Sequence, residues 1–127
     1  MNGRRPVERP GGASVKIVHA APTDQVTDTL SVKRLTDELG AENLRANVFT
    51  VAEGSMTRHV HREQEELYLV LDGTAEIAVD GTVYKLGERD ALAVPAGAEY
   101  QLSNVGLGPL TFFVVASPNV TGDAEKR

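Results

Sequence analysis

The sequence predicts an all-β domain, a small barrel or sandwich, and three observations carry that expectation. Short runs of β-branched and aromatic residues, broken by glycine and proline turns, occupy residues 15–116. Asp80-Gly81 sits between two strand-like segments, the strongest short-range hairpin signal a sequence offers. No long apolar stripe with helical spacing develops anywhere.

Residues 15–19 and 30–35 read as early strands. Residues 35–44, LTDELGAENL, have short helical character that Gly40 interrupts. Residues 45–52 are β-rich through Val48, Phe49, Thr50 and Val51. Residues 67–71 are strongly strand-like. Residues 74–80 alternate Ala75, Ile77 and Val79 against Thr74, Glu76, Ala78 and Asp80, and 82–86 return from the hairpin. Residues 91–94 lead into a Pro95-Ala96-Gly97 turn, and 98–104 and 110–116 complete the set. Three segments result: a flexible N-terminal tail over 1–14, a barrel domain over 15–117, and a flexible polar tail over 118–127.

Length and composition narrow the function. A chain of 127 residues is one domain that buries roughly two thirds of its unfolded surface. With 13 basic against 18 acidic residues the net charge is -5, which argues against nucleic acid or an anionic membrane as partner. Without cysteine there is no disulfide framework, thiolate chemistry or Zn–Cys site. No apolar run approaches the ~18 residues of a membrane-spanning helix. Arg4 and Arg5 invite a twin-arginine reading, but PVERPGGASVK follows where an export signal needs an apolar stretch, so the expected location is cytoplasmic. No P-loop, GxGxxG or Ser-His-Asp arrangement is present.

Chemistry concentrates between Gly54 and Gly73, GSMTRHVHREQEELYLVLDG. Only three histidines occur in the chain, and His59 and His61 lie two apart, so in an extended strand they share a face. Two imidazoles beside Glu66 form a ligand set for a borderline divalent ion. The bland alternative is a pair of exposed or hydrogen-bonded strand histidines. Glu63 and Glu65 compete with Glu66 but read as a solvated turn, and His19 reads as structural.

This run resembles the first motif of the cupin family: glycine, His-x-His, three or four residues, Glu, six residues, Gly. Gly54, His59, His61, Glu66 and Gly73 carry the match, with Gly54 one residue closer to His59 than is usual for the family. Pro95, Gly97 and Asn104 resemble the second motif, whose histidine is replaced here by Tyr100 and whose leading glycine by Arg89. The resemblance implies a double-stranded β-helix, or jelly-roll barrel, holding Fe, Mn, Ni or Zn through His59, His61 and Glu66. Tyr100 then binds as phenolate, hydrogen-bonds a water or ligand beside a three-residue site, or simply fills the barrel. Asn104 reads as a buried hydrogen-bonding residue.

Strand parity adds a deduction. If Glu66 points inward, so do Tyr68 and Val70, while Leu67, Leu69 and Leu71 take the outer face. That row predicts a homodimer, the alternative being cover from the N-terminal segment. Tyr68 and Phe112 or Phe113 are expected to line the cavity, with Arg58 and Gln101 flanking its mouth or lying on the surface. Three functions remain open. The chain holds a metal and a small organic ligand, or it is a metal-dependent dioxygenase, isomerase or decarboxylase as the resemblance allows, or it is a metal-free binding or sensory module.

Overall fold

The computed structural model describes residues 15–127; the expected tail over 1–14, with Arg4 and Arg5, lies outside the described residues. The elements are β1 (Asp24–Gln25), β2 (Leu30–Arg34), α1 (Leu35–Leu39), β3 (Arg45–Val51), β4 (Gly54–Ser55), β5 (His59–His61) and β6 (Glu65–Asp72). They continue as β7 (Ala75–Val79), β8 (Thr82–Leu86), β9 (Ala91–Val94), β10 (Glu99–Asn104), β11 (Leu110–Ser117) and β12 (Ala124–Lys126). Two antiparallel sheets form the barrel: one in the order β1-β2-β3-β11-β6-β9, the other β12-β5-β10-β7-β8 with β4 beside β10. Among the described residues no helix is long and apolar enough to cross a membrane.

Local chemistry explains most boundaries. The β7–β8 hairpin turns on Asp80 and Gly81, with φ of 48° and 84°, the pair of positive values a two-residue hairpin turn requires. Gly73 ends β6 at φ +93°, and a Cβ there would lie 2.6 Å from the Pro109 carbonyl oxygen. The strand and the following loop approach each other only because position 73 has no side chain. Residues 35–39 form one helical turn, after which the Gly40 N–H bonds the Thr36 carbonyl. Thr36 then ties this turn to β3: its hydroxyl donates to the Leu44 carbonyl and accepts the Ala46 N–H.

Two expectations are corrected. Residues 15–19, read as a strand, have no regular structure; Ile17 is 97 % exposed and has no sheet neighbour to satisfy its backbone. Residues 118–127, read as a flexible tail, are docked onto the barrel. Ala124↔His61 and Lys126↔His59 pair β12 with β5, and Asp123 is buried. Their polar composition hid this, because the segment is held by backbone pairing and one carboxylate rather than by apolar side chains.

Alternation places the core. On β6, Glu66, Tyr68 and Val70 face inward while Leu67, Leu69 and Leu71 face out. Inward residues of β11 (Leu110, Phe112, Val114) meet Ile77 of β7, Leu86 of β8 and Leu102 of β10. Phe112, 1 % exposed, packs against Phe49 and Tyr68 with ring centroids 5.5 Å and 5.6 Å away. Phe112 and Tyr68 line the cavity, whereas Phe113 lies on the outer face beside Leu69. The motif asparagine, Asn104, donates to the Val51, Ala52 and Gly108 carbonyls and accepts the Gly106 N–H, pinning loops at the closed end.

Candidate metal centre

At the other end the same strands present polar groups. The three-residue β5 carries His59 and His61 on its inner face, and antiparallel pairing with β10 sets His59 opposite Tyr100. Glu66 enters from the first sheet, one residue into β6. Metal-ligand atoms of His59, His61 and Glu66 all lie within 4.8 Å of one another, a grouping that could hold a metal ion. The two imidazole rings are 5.1 Å apart at 66°.

Hydrogen bonds set the protonation of His59. Its Nδ1 lies 2.7 Å from the Thr57 carbonyl oxygen, which can only accept, so the proton sits on Nδ1. The Nε2 lone pair is therefore free to face the cluster, as a metal ligand requires. His61 directs Nε2 toward Glu66 Oε1 at 3.4 Å, with Nδ1 turned the other way. Two imidazoles and a carboxylate, with one ring's tautomer fixed in the ligating form, fit a divalent transition ion.

Tyr100 joins this cluster rather than standing apart. Its hydroxyl lies 2.8 Å from His59 Nε2 and donates to Glu66 Oε1, while Tyr68 donates to Glu66 Oε1 at 3.0 Å. The two hydroxyls are themselves 3.0 Å apart. Burial pushes the Tyr100 phenol well above its ordinary range, helped by the Glu66 charge and the bond to that carboxylate. Burial likewise raises Tyr68, with Glu66 and Tyr100 adding to it. Both phenols hold their protons at neutral pH and act as donors.

The cluster lies on the wall of a cavity of about 330 Å³. Phe49, Met56, Phe112 and Val114 give it an apolar side, and Arg45, Asn47 and Gln64 a polar one. Register puts Arg45, Ala116 and Glu66 in one row across the sheet, so Arg45 and Glu66 are two strands, about 10 Å, apart. Arg58 and Gln101 are not among the lining residues. Arg58 is an exposed partner of Glu99, and Gln101 donates to the Met56 carbonyl. Glu63, Glu65 and His19 are exposed.

Asp123 escaped sequence reasoning. Its carboxylate accepts the backbone N–H of Glu63 at 3.0 Å and 2.9 Å and that of Gln64 at 2.9 Å, and Oδ2 is 3.7 Å from His61 Nδ1. Burial opposes its charge, but the Gln64 and Glu63 bonds, with His61 and Arg62 nearby, outweigh it and hold the carboxyl below its usual range. An isolated acid in a polar terminal stretch carries no spacing signal. Arg45 escaped too, because β3 carries apolar residues on both faces and its parity is ambiguous.

A two-sheet antiparallel barrel with two histidines and a glutamate converging at its open end defines a class of small β-barrels with a candidate metal centre. The chain belongs to the cupin family: residues 47–116 match the model of the cupin domain. The mannose-1-phosphate guanylyltransferase of Escherichia coli K12 is 32% identical over 90 residues, covering 71% of this chain. That stretch is only 16% of the relative, so the chain spans a small part of the curated relatives it matches. A cupin-superfamily sugar phosphate isomerase from Silicibacter pomeroyi is 30% identical with a TM-score of 0.67, covering 72% of this chain and 61% of its own. The polyketide cyclase RemF of Streptomyces resistomycificus shares the fold at 20% identity, with a TM-score of 0.74 and coverage of 89% and 85%.

Proposed function

We propose that this cupin holds a divalent transition ion through His59, His61 and Glu66 and binds a small anionic organic molecule in the adjoining cavity. The observation that carries the reading is the convergence of the three ligand groups on the cavity wall. When bound, the ion would act as a Lewis acid with coordination positions left open to the ligand. The chain's own groups do the rest. Tyr68 and Tyr100 donate hydrogen bonds toward the ion site, and Phe49 and Phe112 give the cavity an apolar wall.

Charge supports the anion. Among the described residues Arg45 is the only Lys or Arg on the cavity wall, and no carboxylate lies within ion-pair distance of it. A divalent ion and Arg45 together outweigh Glu66 and Asp123, leaving the loaded cavity positive. Sugar phosphates are the first class to test, since the relatives named above carry such molecules in their names. Elemental analysis should find about one ion per chain after reconstitution with Fe(II), Mn(II), Ni(II) or Zn(II). Calorimetry on the loaded protein should then show mannose 1-phosphate binding over mannose, with the preference reduced about tenfold in Arg45→Met. Equal binding of both sugars by the loaded protein would defeat the anion assignment. Whether bound ligand is turned over, by isomerase, decarboxylase or dioxygenase chemistry, is read by product analysis in the same samples.

A second reading, a metal-free binding module, rests on a specific observation. Tyr68 and Tyr100 donate to Glu66 without an ion, and the Tyr100 hydroxyl lies 2.8 Å from His59 Nε2. Metal that stays sub-stoichiometric after reconstitution would favour it. We further infer a homodimer. Leu67 and Leu71 are 42% and 47% exposed, and Phe113, Val115, Ala91 and Ala93 extend their row without a charge. A face of this kind meets its own copy about a two-fold axis. Light scattering should give the mass of two chains, and Leu67→Glu the mass of one.

A further inference from the structure

The two histidines make the same demand and receive different answers. An imidazole that gives Nε2 to an ion must carry its proton on Nδ1, and a buried N–H needs an acceptor. His59 finds one in the carbonyl of Thr57, two residues back on its own chain. His61 Nδ1 is buried and has no hydrogen-bond partner among the described residues. The group that faces it is the Asp123 carboxylate, with Oδ2 at 3.7 Å.

We propose that Asp123 is the positioning residue for His61, taking the Nδ1–H and so fixing the tautomer and orientation that turn Nε2 toward the ion site. The assignment rests on the metal reading above. It stands on two features of the C-terminal segment. First, the carboxylate is buried and aimed, being held by the backbone N–H groups of Glu63 and Gln64. A small rotation of the His61 ring closes the remaining gap to hydrogen-bond distance. Second, the segment that carries Asp123 is anchored on both sides of it. Gln64 Nε2 donates to the Pro118 and Val120 carbonyls at 3.0 Å and 3.3 Å, and β12 continues the sheet with Ala124 opposite His61. The bland account makes Asp123 a cap for two loop amides, with its proximity to His61 incidental.

Co(II) titration, thermal melting and ¹⁵N NMR of the His61 ring separate these accounts. Asp123→Asn keeps an oxygen for the backbone amides and removes the charge; Asp123→Ala removes both. Thr36→Val removes the hydroxyl bonds that tie α1 to β3, away from the ion site, and serves as the structural control. The expected result is a 10–100-fold loss of Co(II) affinity in Asp123→Asn and Asp123→Ala, with the cobalt visible spectrum altered. Thr36→Val should lose melting temperature with much less effect on affinity. Glu66 Oε1, 3.4 Å from Nε2, competes for the ring proton when no ion is bound. At a pH where the ring is neutral, the metal-free wild type should therefore show a larger Nδ1-protonated fraction of His61 than Asp123→Asn. Wild-type affinity and spectrum in both Asp123 variants would overturn the proposal, as would affinity losses that track melting temperature across all three. If the wild type takes up no Co(II), the metal reading fails by itself. The tautomer then decides about Asp123: an Nδ1-protonated fraction no larger in the wild type than in Asp123→Asn refutes it, and a larger one upholds it.

Discussion

The two ends of this barrel are built from the same strands and do opposite things. Read along β6, the inward residues run Glu66, Tyr68, Val70; along β10 they run Tyr100, then Leu102; along β3, Arg45 and Asn47, then Phe49 and Val51. Each strand changes from polar to apolar within about three inward positions, or about 13 Å. At the apolar end Ile77, Leu102 and Leu110 are almost wholly buried and close-packed. At the polar end the side chains stand around a cavity and bond to one another. The difference teaches that the sealed half is the rigid frame and the open half is what it holds in place. Ligand groups from two different sheets can converge only if the far ends of those sheets are locked together.

Perturbing each end should therefore produce distinguishable results. The largest expected effect is at the frame. Phe112→Ala, which empties the space between Phe49 and Tyr68, should cost about 3–5 kcal/mol in denaturant unfolding. Metal affinity should fall with it; an unchanged affinity would show that the open end does not depend on the frame. Next comes Glu66→Gln, expected to weaken metal binding by at least about a hundredfold, or about 2.7 kcal/mol, with little loss of folding stability. A large drop in melting temperature instead would place Glu66 in the frame.

Gly73→Ala sharpens the comparison from the turn that leaves β6. The left-handed backbone alone costs about 1–2 kcal/mol, and the contact with the Pro109 carbonyl adds to it, with urea unfolding as the measure. The smallest effect concerns pH. Tyr68 and Tyr100 have folded pKa values raised above those of the unfolded chain, so the stability they contribute is full below about pH 10. As pH climbs beyond that, the unfolded chain ionises first and stability falls. Metal-free protein should show a declining melting temperature above about pH 10, and Tyr68→Phe should soften that decline.

Much of this organisation was legible in the residues. The Asp80-Gly81 turn, the inward parity of Glu66 and the outward leucines follow from the period of two and the conformations glycine permits. His59, His61 and Glu66 were legible because their spacing is constrained by one short strand and the start of the next. The rest depends on partners distant in the chain. Residues 118–127 look like solvated polypeptide until β5 offers an edge for β12 to pair with. Arg45 and Asn47 alternate with Ala46 and Val48, and only the helical turn of α1 and its Thr36 bonds to β3 determine which set faces outward. Tyr100 could be located from its motif, but not the hydroxyl network that surrounds it.

One asymmetry has an evolutionary consequence. The acceptor beneath His59 is a main-chain oxygen, present whatever amino acid the gene encodes at position 57. The oxygen facing His61 exists only while codon 123 specifies a suitable side chain. Drift can therefore retune one imidazole through a single nucleotide change and leave its neighbour untouched.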